Sequence, residues 1–144
     1  MILRPAFGFD SLLFGMKQPD IESIYGQPSM YYKDEEDNVI LVYNSLMSKL
    51  TLYADEGFRL GYIVTSKPDA ELYGEKIIGQ SFDSLKRRLD KRGYKSWEKE
   101  ENEGVKLYFN EDFWLFIHEE YDQIFKLEIG ALIKNQNDFD WKFQ

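Results

Sequence analysis

The sequence predicts an α+β protein: two tandem copies of a helix packed on an antiparallel β-meander, the two sheets adjacent or continuous. Three observations predict it. The apolar run Leu12-Leu13-Phe14, stopped by Gly15, has a counterpart in Ile77-Ile78, stopped by Gly79. Each run is followed by a helix start signal and an apolar stripe at helical spacing. After each helix come four short segments of strand character, parted by turn residues.

The elements follow in order. Pro19 suits the first position of a helix, and Asp20 and Glu22 suit its positive end. Ile21, Ile24 and Tyr25 fall at i, i+3 and i+4 on one face, Gly26 offers a stop, and Gln27-Pro28 turns the chain out of helical geometry. Residues 30–33 and 39–43 read as strands joined by the charged turn Asp34-Glu35-Glu36-Asp37-Asn38. Residues 50–54 and 59–64 form the next pair, turning at Asp55-Glu56-Gly57. A proline among small polar residues, Ser66-Lys67-Pro68-Asp69-Ala70, marks the joint between halves. The cycle then restarts: Ser81 caps a helix whose stripe is Phe82, Leu85 and Leu89, and Gly93 closes it. Strands follow at 94–97, 105–109, 113–117 and 124–129. The predicted organisation is a first α/β repeat over 1–66 and a second over 67–144 with a C-terminal tail, together one compact unit.

Composition bounds the function. At 144 residues the chain is long enough for one real core, and 17% Phe, Trp and Tyr means that aromatic rings do much of the packing. The formal charge of −8 repels a phosphate backbone and attracts a cationic protein, so no nucleic acid is expected as partner. There is no cysteine, hence no disulfide, thiol nucleophile or thiolate metal site. No window approaches the roughly 18 apolar residues that span a bilayer, so no membrane partner is expected and a cytoplasmic location is.

The run Phe7-Gly8-Phe9, then Leu13-Phe14-Gly15-Met16, the helix reaching Tyr25 and the following Gly26-Gln27-Pro28 resemble a module of another kind of protein. It is similar to the opening of proteins built like the β-lactamase inhibitory protein and the small outer-membrane assembly lipoproteins. In the second copy Gly79 and Gly93 remain, while the proline after the helix is missing and Lys95 departs from the pattern. The resemblance implies a helix on an antiparallel sheet in each copy, with an open concave face gripping another protein. Neither an inhibitory target nor lipidation carries over, the latter because there is no cysteine to lipidate.

Residues that carry chemistry are few. His118 is the single histidine, so any triad would need its base here, and its place at the end of a strand suits an exposed turn residue better. No G-x-S-x-G elbow, phosphate-cradling glycine loop or calcium-loop pattern occurs, and no catalytic residue, metal or cofactor is expected. Lys86, Arg87, Arg88, Lys91 and Arg92 cluster on the second helix and its exit, where they complement the helix dipole.

Binding features stand out more. Asp34, Glu35 and Glu36, and Glu100 and Glu101 in the run 98–103, are expected in equivalent hairpin turns at one end of the sheet, attracting a cationic partner. Alternation predicts Val105, Leu107 and Phe109 toward the helix and Lys106 and Tyr108 away from it. Thr51, Tyr53 and Tyr62 are expected on that same outer face. Phe113-Trp114-Leu115-Phe116-Ile117 is apolar on both parities, so Leu115 and Ile117 either meet a partner or lie under the tail Phe139-Asp140-Trp141-Lys142-Phe143.

The expected site is therefore Tyr53, Tyr62, Tyr108, Leu115 and Ile117 with Asp34, Glu35, Glu36, Glu100 and Glu101. The expected function is a non-catalytic protein-binding module, a bacterial inhibitor or immunity-type protein with a basic protein partner. The alternative is a small enzyme or ligand-binding protein with a pocket between the repeats. A homodimer that buries the apolar strand is a third option.

Overall fold

In the computed structural model, which describes residues 1–144, local sequence signals end most elements where physics says they should. Short strands β1 (Ile2–Arg4), β2 (Gly8–Phe9) and β3 (Leu12–Leu13) lead to helix α1 (Gln18–Tyr25). Strands β4 (Met30–Lys33), β5 (Val39–Tyr43), β6 (Ser48–Tyr53) and β7 (Arg59–Thr65) follow. Strands β8 (Glu71–Leu72) and β9 (Glu75–Lys76) precede helix α2 (Phe82–Asp90). Strands β10 (Trp97–Asn102), β11 (Val105–Asn110), β12 (Leu115–Glu120) and β13 (Gln123–Gly130) complete the series.

Helix α1 opens where the Asp20 carboxylate accepts the Lys17 N–H at 3.0 Å, and stops at Gly26, whose φ of 76° suits glycine. Helix α2 opens at Ser81, whose hydroxyl accepts the Ser84 N–H at 3.2 Å, and it buries Phe82, Leu85 and Leu89.

One antiparallel sheet dominates the molecule. Its eight strands run in the order β10-β11-β12-β13-β7-β6-β5-β4, and a second sheet orders β3-β2-β1-β8-β9. This overturns the expected fold class. The chain is 42% strand and 16% helix, and the two meanders join through β7 and β13, Tyr62 facing Gly130 and Val64 facing Glu128. Two helix-on-sheet repeats would each need a helix large enough to cover its own sheet. Here α1 buries only Ile21, and β1 reaches across the chain to pair in parallel with β8. The covering layer is thus shared, and the description as a tandem repeat of α+β units is set aside.

That covering layer, both helices and the small sheet, lies on one face of the large sheet. Phe9, Phe14, Ile21, Ile77, Phe82 and Leu89 meet Leu41, Leu50, Ile63, Leu115, Ile117 and Ile129 in one cluster of 26 buried residues that spans both halves. The inward residues line up across the strands: Leu41, Leu50, Ile63, Ile129 and Leu115 are neighbours in register. Bulges shift this alternation twice. Gly61 is the extra residue of β7 opposite Thr51 and Leu52, and Phe125 the extra residue of β13 opposite His118 and Glu119.

Candidate protein-binding face

The other face of the large sheet carries no layer, and only the C-terminal tail reaches it, at one end. Its side chains are set by register: Val42, Lys49, Val64, Glu128, Phe116 and Phe109 form one row across the strands. Phe109 and Phe116 stack at 4.2 Å, and Trp114 meets Phe109 edge-on at 5.0 Å. On β11 the outward side chains are Val105, Leu107 and Phe109, all partly exposed, while Tyr108 and Asn110 are buried. This strand shows its more apolar side to solvent.

That parity reverses the expected one, and polar partners are the reason. The Tyr108 ring stacks on Phe82 of α2 at 3.6 Å, and its hydroxyl donates to Glu119 Oε1 at 3.4 Å. Asn110 Oδ1 accepts the Phe113 N–H at 2.9 Å, and its Nδ2 donates to the Ser96 carbonyl at 3.3 Å. Burial pushes the Tyr108 phenol up to about 12, with the Glu119 carboxylate adding to it. Leu115 and Ile117 are likewise fully buried against the covering layer. Tyr108, Leu115 and Ile117 are core residues, and the outward members of β12 are Phe116 and His118.

Tyr62 and Tyr53 do lie on the open face. The Tyr62 hydroxyl donates to Glu128 Oε1 at 2.6 Å, and His118 Nε2 contacts Glu128 Oε2, with Phe125 tilted against the imidazole at 5.9 Å. The His118 and Glu128 side chains are 14% and 19% exposed, so this is a semi-buried polar chain in an aromatic surround. Burial raises the Tyr62 phenol, and its bond to Glu128 raises it further. Burial also pushes the Glu128 carboxyl up, but the bonds from His118 and Tyr62 and the charges of His118 and Lys126 outweigh it, holding it below its ordinary value.

The acidic segments separate. Asp34, Glu35 and Glu36 form the β4–β5 turn, where Asp34 Oδ1 accepts the N–H groups of Glu36 and Asn38 and shapes the turn. Glu100 and Glu101 are not in a turn: they belong to β10, paired with Leu107 and Lys106. Because β4 and β10 are opposite edges, the two groups lie roughly 30 Å apart at an inter-strand spacing of about 4.8 Å. Their hairpins also point to opposite ends, so they flank no common patch. The charge instead edges the sheet and discourages edge-to-edge pairing.

Two clefts hold apolar walls. One, of about 350 Å³, lies between α2 and the β8–β9 hairpin and is lined by Tyr73, Glu75, Leu85, Arg88, Lys91 and Arg92 among others. Arg88 pairs with Glu75 and Arg92 covers the Tyr73 ring at 4.2 Å, so its cations are largely engaged within the protein. The other, of about 430 Å³, is walled by Tyr53, Trp114, Phe139, Ala131, Leu132 and Ile133, with Glu111 and Asp112 at its lip. His118 lies in neither cleft, and no group of three or more His, Asp or Glu side chains converges as a metal site would require. No helix is long and apolar enough to cross a membrane.

Trp114, Phe109, Phe116, Glu128, Glu111, Asp112 and Phe139 are the residues of this face that alternation alone did not single out. Gly61 and Gly130, glycines within strands, were the available signal. A Cβ at Gly61 would lie 2.0 Å from the Tyr53 ring, and one at Gly130 would lie 2.4 Å from Trp114. The tail does not cover β12. It binds Phe14, whose carbonyl accepts the Lys142 and Phe143 N–H groups, and it lays Phe139 against Tyr53.

Comparison with known protein families and with curated proteins finds no match. Among solved structures the chain is similar to an extracellular protein containing a SCP domain from Bacillus anthracis str. Ames, with a TM-score of 0.55 and 10% identity over 80% of this chain and 43% of that one. It is also similar to a cysteine-rich secretory protein from Staphylococcus aureus subsp. aureus Mu50, with a TM-score of 0.50 and 12% identity over 80% of this chain and 42% of that one. The chain spans less than half the length of each, and at such identity the likeness is one of fold. Neither is a protein of the β-lactamase inhibitory or assembly-lipoprotein kind. Both are described as extracellular or secretory, which runs against the cytoplasmic location expected from composition, and that expectation is withdrawn.

Proposed function

We propose that this protein is a non-catalytic protein-binding module that grips its partner with the open face of the eight-stranded sheet. The observation that carries the reading is β11, which turns Val105, Leu107 and Phe109 to solvent and keeps Tyr108 and Asn110 inside. An apolar patch of this sort on β11 and β12, with the stacked Phe109 and Phe116 rings beside the polar Glu128 and the charged strand β10, has the make-up of an interface core with a polar rim. The fold recurs as a portion of longer chains, which suits a module that works beside other domains. The net charge of −8 favours a basic partner, and an inhibitor-type role agrees with the resemblance of the opening segment.

The Tyr62–Glu128–His118 chain favours the enzyme reading, yet the Tyr62 hydroxyl and both Glu128 oxygens are used within the chain, and it lines neither of the two apolar-walled clefts. The test is a double variant, Leu107→Thr with Phe116→Thr, which keeps strand propensity while removing the rings and branches. Crosslinking in the native host should join the wild type to one stoichiometric partner, and the variant, with an unchanged melting temperature, should lose it. Equal crosslinking by both proteins, or self-association of the wild type through this face, would count against a heterologous partner.

A further inference from the structure

We propose that the cleft between Tyr53, Trp114 and Phe139 receives a lysine or arginine side chain from an extended basic segment of the partner. The proposal rests on the binding reading above and names the chemistry of what binds. Three of its walls are the rings of Tyr53, Trp114 and Phe139, groups to which a cation is drawn when it comes within about 6 Å of a ring face. They are fixed in advance. Tyr53 lies over Gly61 and Trp114 over Gly130, each ring occupying the space that a Cβ would fill. Phe139 braces Tyr53 at 5.6 Å and is itself stacked on Trp141 at 4.8 Å.

Trp114 adopts φ 51°, a left-handed conformation that a bulky residue takes only when its surroundings impose it. Here the Trp114 N–H donates to the Glu111 carbonyl at 3.3 Å, and the Trp114 carbonyl accepts the Gly130 N–H at 3.2 Å. The result aims the indole at the cleft and leaves it 37% exposed.

Charge selects the occupant. The hairpins that close β4–β5, β6–β7 and β11–β12 all fall at this end of the sheet. Glu111 and Asp112 line the cleft itself, and the other two hairpins put Glu35, Glu36, Asp55 and Glu56 at the same end of the sheet. The Tyr53 phenol is pushed up to about 12 by burial and then by the charge of Glu36, so the acidic turn is felt at the wall. The protein's own cations do not fill the place: Lys49, Arg92, Lys99 and Lys142 cover the rings of Tyr32, Tyr73, Tyr108 and Phe7 instead. A carried side chain fits better than a free amine because Trp114 joins the cleft to Phe109 and Phe116. A segment anchored in the cleft therefore continues onto the open face.

The experiment follows the indole N–H resonances of Trp97, Trp114 and Trp141 while capped hexa-arginine, hexa-lysine, hexa-glutamate and tetramethylammonium are titrated. The cationic peptides should saturably shift Trp114 most and Trp97 least, because the Trp97 indole N–H is held by the Tyr94 carbonyl although Glu111 and Asp112 lie near it; hexa-glutamate should do nothing. Glu111→Gln with Asp112→Asn, both exposed positions, should weaken the peptides roughly tenfold without loss of fold. Equal affinity in that variant, uniform shifts of all three indoles, or tetramethylammonium binding as tightly as the peptides would each overturn the proposal. Silent peptides together with lost crosslinking in the Leu107/Phe116 variant would end the cleft proposal alone. Bound peptides with unchanged crosslinking would end the face reading alone.

Discussion

Glu128 is the residue on which the open face depends most, because it is the one carboxylate held among aromatic side chains at the seam between the two meanders. Its folded pKa lies below the ordinary 4.5, since the bonds from His118 and Tyr62 more than offset the effect of burial. A depressed folded pKa contributes stability that is present above the unfolded value and is lost as pH falls through the folded one. Chemical denaturation from pH 7 down to pH 3 should therefore give a steeper loss below about 4.5 in the wild type than in Glu128→Gln. Parallel profiles would show that the carboxylate contributes nothing. At this scale the sequence misled in a definite way. Alternation puts Tyr108 outside, since Val105 and Leu107 are more apolar, yet its phenol has a buried acceptor in Glu119, which no alternation pattern can reveal. Leu115 and Ile117, expected to meet a partner or lie under the tail, go inward instead, because in a run apolar on both parities the register with Asn110 and Tyr108 decides the face.

Among the elements, helix α2 is the best specified. Ser81, the Phe82, Leu85 and Leu89 stripe, Asp83 in the first turn and Arg87 and Arg88 in the last agree with one another, and the observed boundaries follow them. The structure adds Glu119 of β12, which is 3% exposed and accepts the Phe82 N–H at 2.6 Å, a second cap supplied from the sheet. A buried carboxylate on a helix N-terminus satisfies an N–H that would otherwise lack a partner. Replacing it should cost about 2–3 kcal/mol in Glu119→Ala, and less in Glu119→Gln, which keeps an acceptor. Urea denaturation at pH 7 measures both, and an alanine variant within about 0.5 kcal/mol of the wild type would rule out the cap. Strand β10 is the least legible element. Its Glu98, Lys99, Glu100 and Glu101 read as a turn by composition, but pairing with β11 makes an edge strand of them, and an edge tolerates charge on both sides.

For the whole molecule, the joint at 66–67 divides strands that the fold reunites. Strand β7 zips to β13 across it, and β1 crosses it to pair with β8. Expressed alone, residues 1–66 should give no cooperative melt, and mixing them with 67–144 should restore one, read by circular dichroism; a cooperative transition in the isolated first half would refute the shared core. The order of the elements, the stop at Gly26, the helix of Phe82–Asp90 and most strand positions were determined by the sequence itself, since they follow from backbone conformation and from periodicity within a few residues. Only the tertiary structure decided that two meanders become one sheet, that β11 turns its apolar side out, and that the acidic segments go to opposite corners. Those outcomes depend on hydrogen bonds between strands far apart in the chain and on two bulges, at Gly61 and Phe125, that reset the alternation. A local pattern carries no information about a partner strand it has not yet met.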